Sequence, residues 1–316
     1  MRNDTNVTRS TAGGLAAIVL WSTTVAVARS LSERVGPLTG AACVYLIAGF
    51  FCLLHLARRR TLIRQWLGLS RRYVLGCGFL FVLYTVLLYV AIGSAADRQQ
   101  VLEIGLVNYL WPAATIVLSL LLLDKRASLL VWPGTALALA GEFLVMTQGS
   151  DVSWPSFWGH VQANPGAYAS AFIAAVVWAL YSTLARRWSR PGDGGAVELF
   201  IPVTGLTLLV LRLLSGESST WTLRAGGEAA VLGICTLLGY VLWDTAMRKG
   251  HLLLVVAFSY FTPLLSTLAS CLYLSVTPGR QLWVGCLLLV AGSLMTWLSV
   301  SDRSSESCAT SFRGPV

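Results

Sequence analysis

The sequence predicts an all-α integral membrane protein of ten transmembrane helices, arranged as two inverted five-helix repeats around a central cavity. Three observations predict it. Apolar residues fill 56% of the 316 positions and charged ones only 12%, about half the charged share of a soluble domain. The apolar residues gather into ten runs of spanning length. The second half repeats motifs of the first in the same order.

A helix needs about 20 apolar residues to cross the hydrocarbon core, which sets the first span at 11–32. Trp21 and Thr24 lie near its middle. MRNDTNVTR, the apolar run and Ala26-Val27-Ala28 imitate a cleavable leader. The internal repeat includes this helix, so it is expected to be kept. The second span, 38–57, ends at a loop over 58–72 with Arg58, Arg59, Arg60, Arg64, Arg71 and Arg72 and no acid. Such loops are cytoplasmic, which sets the orientation. Spans at 73–94, 99–123 and 129–147 complete the first half. Spans at 165–187, 196–215, 229–248, 251–275 and 281–300 form the second. Alternation then places both termini in the cytoplasm. Of the 23 basic residues, only Arg29, Arg34, Arg98, Arg212, Arg224 and Arg280 face outward. The chain divides into a first repeat (1–148), an outer connecting loop (149–164), a second, inverted repeat (165–300) and a cytoplasmic tail (301–316).

The repeat rests on specific residues. WPGTALALAG (132–141) aligns with WVGCLLLVAG (283–292), and NYLWP (108–112) with SYFTP (259–263), both at an offset of 151. At an offset of 157, Trp21 falls on Trp178, Arg29 on Arg186 and VLG (74–76) on VLG (231–233). Five helices per half is an odd number, so the second half enters the membrane from the other side.

The fourth and ninth spans carry the functional signal. Pro112 and Pro263 lack the N–H that would bond back four residues, which frees the carbonyls of Asn108 and Ser259. At about 100° per residue, Asn108, Trp111, Pro112, Thr115 and Ser119 share one arc. Ser259, Thr262, Pro263, Ser266 and Ser270 share the equivalent arc. Two readings stand. The stripes line a cavity, where exposed backbone is tolerated at membrane depth, or they are packing glue between helices. The bulk of Trp111 and the freed carbonyls favour the cavity. Trp21, Thr24, Tyr84, Trp178 and Tyr181 are further substrate-contact candidates, with ordinary packing the rival reading for each aromatic. Trp132, Trp188, Trp283 and Trp297 fit interfacial belts. Pro112 and Pro263 are expected to gate opposite sides. For the intramembrane acids Glu103 and Glu142, proton coupling stands beside an interfacial or Arg-paired role. For Asp244 the second role is preferred.

Other classes fall away. The net charge of +9 reads as cytoplasmic loops and not as a nucleic-acid surface. Six of the seven cysteines lie in apolar runs and none forms C-x-x-C, so they read as small buried hydrophobes, not as a metal or redox site. The three histidines are scattered, which argues against an enzyme. There is no phosphate-binding loop, and Lys125 and Lys249 are the only lysines, which argues against an ATP-driven pump. No cofactor or metal is expected, and the expected partners are a small-molecule substrate and lipid, around a monomer.

Mid-span Trp21 and Trp178, the two five-helix halves and the P-then-W…G…AG order resemble the drug/metabolite transporter (EamA) superfamily over essentially the whole chain. VNYLWP (107–112), then LLLLDKRAS (121–128), with SYFTP (259–263), resembles the YddG-type aromatic amino acid exporters. Asp124-Lys125-Arg126 departs from the Glu-then-Arg common in the superfamily. The resemblance implies a bacterial inner-membrane exporter, a ten-helix basket around a central cavity. Its cargo would be aromatic and other hydrophobic amino acids, with cationic aromatics as further substrates. The residues themselves imply an aromatic, weakly polar site in which rings stack or attract a cation and in which Asn108 and the freed carbonyls hold an ammonium. A nucleotide-sugar cargo would want basic side chains that the mid-span regions lack.

Overall fold

A computed structural model of the chain describes residues 2–58, 68–123, 125–147, 152–190, 194–274 and 279–302. The loop arginines Arg59, Arg60 and Arg64, together with Asp124 and the tail beyond 302, lie outside the described residues.

Helices α1 (Arg2–Val35) and α2 (Pro37–Arg58) meet at Gly36, whose φ of 89° is open to a residue without Cβ. The Glu217 carboxylate accepts the Thr39 N–H at 2.8 Å and the Leu38 N–H at 3.2 Å. It thereby caps α2 at the end where the helix dipole favours an anion. α3 (Arg72–Gly93) opens with a π-helical stretch over Arg72–Cys77. The span expected at 99–123 is two helices, α4 (Arg98–Asn108) and α5 (Trp111–Leu122). α6 (Val131–Met146) follows the short strand β1 (Lys125–Ala127). α8 (Pro165–Trp188), α9 (Val197–Ser215) and α10 (Leu223–Lys249) come next. The span expected at 251–275 is again broken, into α11 (Leu252–Ser259) and α12 (Phe261–Leu274). α13 (Arg280–Ser299) runs into β2 (Val300–Asp302), which pairs antiparallel with β1.

Eight of the described helical stretches are long and apolar enough to cross a membrane, one of them α4 and α5 taken together (Arg98–Leu122), and α6 is a shorter apolar helix. Phe50, Leu75, Leu206, Leu213 and Leu287 are exposed, as lipid-facing side chains must be. Trp132, Trp283 and Trp297 are exposed too, while Trp188 packs toward Gly76. The chain is a multi-pass membrane protein.

One expectation gains detail and one needs correction. Both broken spans separate before the proline, at Tyr109-Leu110 and at Tyr260, because a proline removes the hydrogen bond of the preceding turn. The connector over 149–164 is not plain loop. It holds α7 (Trp154–Ala163), capped by Ser153, whose hydroxyl accepts the Ser156 N–H, with Pro155 in its first turn. That Ser-Trp-Pro start is an ordinary helix signal, overlooked because no long apolar run follows it.

The dominant packings are α6 on α13, α1 on α10, α2 on α9 and α3 on α8; α5 also packs on α8, and α12 on α1. The closest pair meets through glycines. A Cβ on Gly134 would stand 2.8 Å from the Thr296 nitrogen, and one on Gly285 2.8 Å from the Val145 side chain. These contacts are each other's mates at the 151-residue offset.

Candidate functional site

Three helices each contribute two aromatic residues spaced i, i+3, which face one way on a helix. They are Phe81 and Tyr84 on α3, Trp178 and Tyr181 on α8, and Tyr240 and Trp243 on α10. All meet around Trp178. Its ring centroid lies 4.6 Å from Tyr84, 5.1 Å from Tyr181, 5.9 Å from Tyr240 and 5.9 Å from Trp243. Trp21 on α1 joins at 6.3 Å from Trp178 and 5.4 Å from Trp243. The break after Asn108 starts α5 at Trp111. Its indole stands edge-on to Trp178 at 6.3 Å and 88°, and to Trp243 at 5.4 Å and 84°. Rings in such edge-to-face array present negative faces and positive edges. The cluster can therefore stack a flat ring or draw a cation to an indole face.

Asn108 borders the cluster through Tyr84, and the other polar groups of the two broken spans make local contacts of their own. Asn108 ends α4, buried. Its side chain interacts with the Tyr84 hydroxyl, while its carbonyl oxygen Oδ1 has no partner. The Thr115 hydroxyl donates to the Trp111 carbonyl at 2.7 Å, and the buried Ser119 hydroxyl is unpartnered. In the second half the Ser259 hydroxyl donates to the Val256 carbonyl at 2.6 Å. Thr262 and Pro263 are buried beside it, as Pro112 is in the first half. Thr24 donates to the Trp21 carbonyl at 2.9 Å, so its hydroxyl serves its own helix and joins no ring.

A second network lies one turn further along α10. Asp244, 1% exposed, accepts the hydroxyls of Tyr73 at 2.8 Å and Tyr181 at 3.1 Å. The Arg248 Nε–H donates to its other oxygen at 2.8 Å. The Tyr73 oxygen accepts the Ala196 N–H at 3.1 Å, and the Arg248 guanidinium sits over the Tyr73 ring. One carboxylate thus ties α3, α8, α9 and α10 together. Asp244 is Arg-paired, as preferred from the sequence, and is buried.

A third network involves Glu103 on α4, which is fully buried. It accepts the His160 Nδ1–H at 3.0 Å, the Gln99 amide at 3.2 Å and the Tyr168 hydroxyl. The connector helix α7 is thereby fastened to α4 and α8. Glu142, also buried, is in none of these networks. Among the described residues no group of three or more His, Cys, Asp or Glu is placed to hold a metal ion.

With this geometry in view, the comparisons with known proteins are specific. The sequence model of the EamA-like transporter family matches residues 10–147 and again 166–298.

The chain belongs to the EamA-like transporter family.

Within the family it is 33% identical to the aromatic amino acid exporter YddG of Escherichia coli (strain K12), over 92% of this chain and 97% of that one. It is 31% identical to the exporter of the same name from Salmonella typhimurium (strain 14028s / SGSC 2262), over 93% and 99%. A solved crystal structure, 27% identical, superposes with a TM-score of 0.76 over 92% of this chain and 98% of the other. The relatives named here are exporters, a role that makes and breaks no covalent bonds.

Sequence reasoning missed Tyr240, Trp243, Phe81 and Tyr73 in this EamA chain. A signal existed for most of them. Tyr240, Trp243, Asp244 and Arg248 follow i, i+3, i+4, i+8 spacing, one stripe of aromatic and charged side chains on an otherwise apolar helix.

Proposed function

We propose that this chain is a secondary transporter of a bacterial inner membrane that exports aromatic and other hydrophobic amino acids by alternating access. One observation carries the reading: Trp21, Trp111, Trp178 and Trp243, from four helices, converge beside the break between α4 and α5. Such rings bind a side chain of like kind by stacking and apolar burial. Asn108 and the carbonyls freed by Pro112 and Pro263 offer acceptors to an ammonium. Trp21, Tyr84, Asn108, Trp111, Trp178, Tyr181, Ser259 and Thr262 form the substrate site, with Thr24 at its border. The names of the relatives favour aromatic amino acids as the cargo.

The architecture is ten spans in two inverted repeats. The family matches each half separately. With the spans numbered one to ten, exchanging each with the span five away maps the main packings onto one another: 1–8 onto 6–3, 4–6 onto 9–1, 2–7 and 5–10 onto themselves. Such a two-fold suits rocking of one half against the other. The broken helices are the moving parts, and the Asp244 network holds one mouth shut, which the arginine-rich loops make the cytoplasmic one. In the present state the rings touch one another, so admitting a substrate ring requires α5 or α12 to swing away. The protein works as a monomer with both termini inside.

The test is counterflow. Proteoliposomes preloaded with unlabelled phenylalanine should take up labelled phenylalanine or tryptophan saturably. W111A should abolish most of that uptake while eluting as a folded monomer. Transport unaffected by W111A would remove the site. A lipophilic cation is the second reading. The negative ring faces favour it, and competition by a viologen would show it.

A further inference from the structure

Three acids are buried among the described residues, Glu103, Asp244 and Glu142, and their surroundings separate them; Asp244 is paired with Arg248. Glu103 is saturated with donors from His160, Gln99 and Tyr168. Glu142 is 2% exposed, and neither of its oxygens has a hydrogen-bond partner. An ionised carboxylate taken from water without a counter-charge costs several kcal/mol. A neutral carboxyl leaves only ordinary polar atoms unpaired, a smaller cost. Dry burial is therefore tolerable to the acid with its proton on, and access of water favours release.

The position adds meaning. Tyr109 stands at the break between α4 and α5, and Tyr260 at the break between α11 and α12. They are mates at the 151-residue offset. Both are in electrostatic reach of Glu142. The Tyr260 hydroxyl is buried and unpartnered as well. Tyr109 is also in reach of Tyr84, whose ring packs on Trp178. The residues at both breaks thus lie near enough to Glu142 to feel its charge, with no hydrogen bond joining them to it. Of the elements packed on α6, α13 brings Arg280 at its start and Cys286, α12 brings no ionisable group among its described side chains, and α4 brings Arg98 at its start and the already saturated Glu103. The mate of Glu142 in the second half is Ser293, so the carboxyl occurs once per transporter.

We propose that Glu142 is the proton site of a proton–substrate antiport. This deepens the transport reading and rests on it. Substrate loading opens Glu142 to water. Its O–H bond breaks, the proton leaves as hydronium and the electron pair stays on the carboxylate, which then draws the hydroxyls of Tyr109 and Tyr260. On the opposite face, release of substrate is matched by formation of one O–H bond at the same group. A ligand shifts a conformational equilibrium only by its differential affinity for the two states. A proton that binds the dry state and leaves the wet one has such a preference.

The experiment uses proteoliposomes with the membrane potential clamped. With the lumen about one pH unit more acidic, one-for-one antiport accumulates labelled phenylalanine up to about tenfold. E142Q should keep counterflow within about threefold of wild type and lose the response to the gradient, while E142D should retain part of it. Gradient-driven accumulation by E142Q, or indifference of wild type to the gradient while counterflow persists, overturns the proton site alone. Absence of counterflow for every amino acid in a panel overturns the amino acid reading, and the antiport with it. Should E142Q fail to fold, wild-type protein treated with dicyclohexylcarbodiimide, which attacks protonated carboxyls in apolar surroundings, decides. An adduct on Glu142 that excess phenylalanine suppresses supports the site, and an unmodified or unprotected Glu142 overturns it.

Discussion

Tyr181 donates its hydroxyl to Asp244 at 3.1 Å while its ring lies 5.1 Å from Trp178. A single side chain therefore belongs both to the ring cluster and to the charged network beyond it. On the proposed transport reading, a substrate that displaces the rings shifts Tyr181 and hence one of the donors to Asp244. Networks with two discrete arrangements carry coupling in this way.

Breaking that link should separate its two roles. Y181F removes one hydrogen bond, costs about 1 kcal/mol and should slow counterflow more than it lowers thermal stability. D244A leaves the Arg248 guanidinium buried without its partner and should cost about 3–5 kcal/mol. Thermal unfolding in detergent beside counterflow measures both. Equal losses in the two variants would remove the ordering argued here.

The ring cluster predicts a specific kinetic split. W178F keeps an aromatic side chain but gives up much of the edge-to-face contact with Trp21 and Trp111. Each such ring pair contributes about 0.5–1.5 kcal/mol. The KM for tryptophan in counterflow should rise about three- to tenfold with little change in maximal rate. A changed maximal rate at constant KM would place Trp178 in the moving machinery and not in the site.

The glycine contact of α6 with α13 predicts a paired effect. G134V and G285V each place side-chain atoms where a Cβ already stands 2.8 Å from the facing helix. Each should cost about 1–3 kcal/mol through overpacking, and the two should be alike. G227A is the control, because nothing lies within 4 Å of its Cβ position. Thermal unfolding of the three variants decides.

How far the sequence reached is visible at these residues. Pro112, Pro263, Gly134 and Gly285 were legible because a missing donor and a missing side chain constrain the backbone itself, whatever packs around it. Trp21, Trp111 and Trp178 were legible as mid-span tryptophans, but their meeting was not, since no local pattern states which helices cross. Trp243 escaped because it lies toward one end of its expected span (229–248), with no proline or repeat motif beside it. Glu103 and Glu142 looked alike in sequence. Only the tertiary partners on α7 and α8 set them apart, and α7 itself was hidden in a segment without an apolar run.

The hinges make the last prediction. Pro112 sits in the first turn of α5 and Pro263 in that of α12, and each removes a backbone donor one turn after a buried polar residue, Asn108 or Ser259. Replacing either proline with alanine restores the N–H and lifts the steric block, a change worth up to about 3 kcal/mol in a helix interior. Asn108 could then accept the missing bond, α4 and α5 would tend to merge, and Trp111 would be held in place. P112A should therefore unfold at a higher temperature yet turn over more slowly, with KM nearly constant, since the rings proposed to bind substrate keep their side chains. P263A should do the same through Ser259. Gating at opposite mouths predicts a further difference: a cysteine placed on α5 and one placed on α12 should change their labelling by impermeant thiol reagents from opposite sides when the respective proline is removed. Turnover unaltered in both variants would mean that the breaks are packing features and that the motion lies elsewhere.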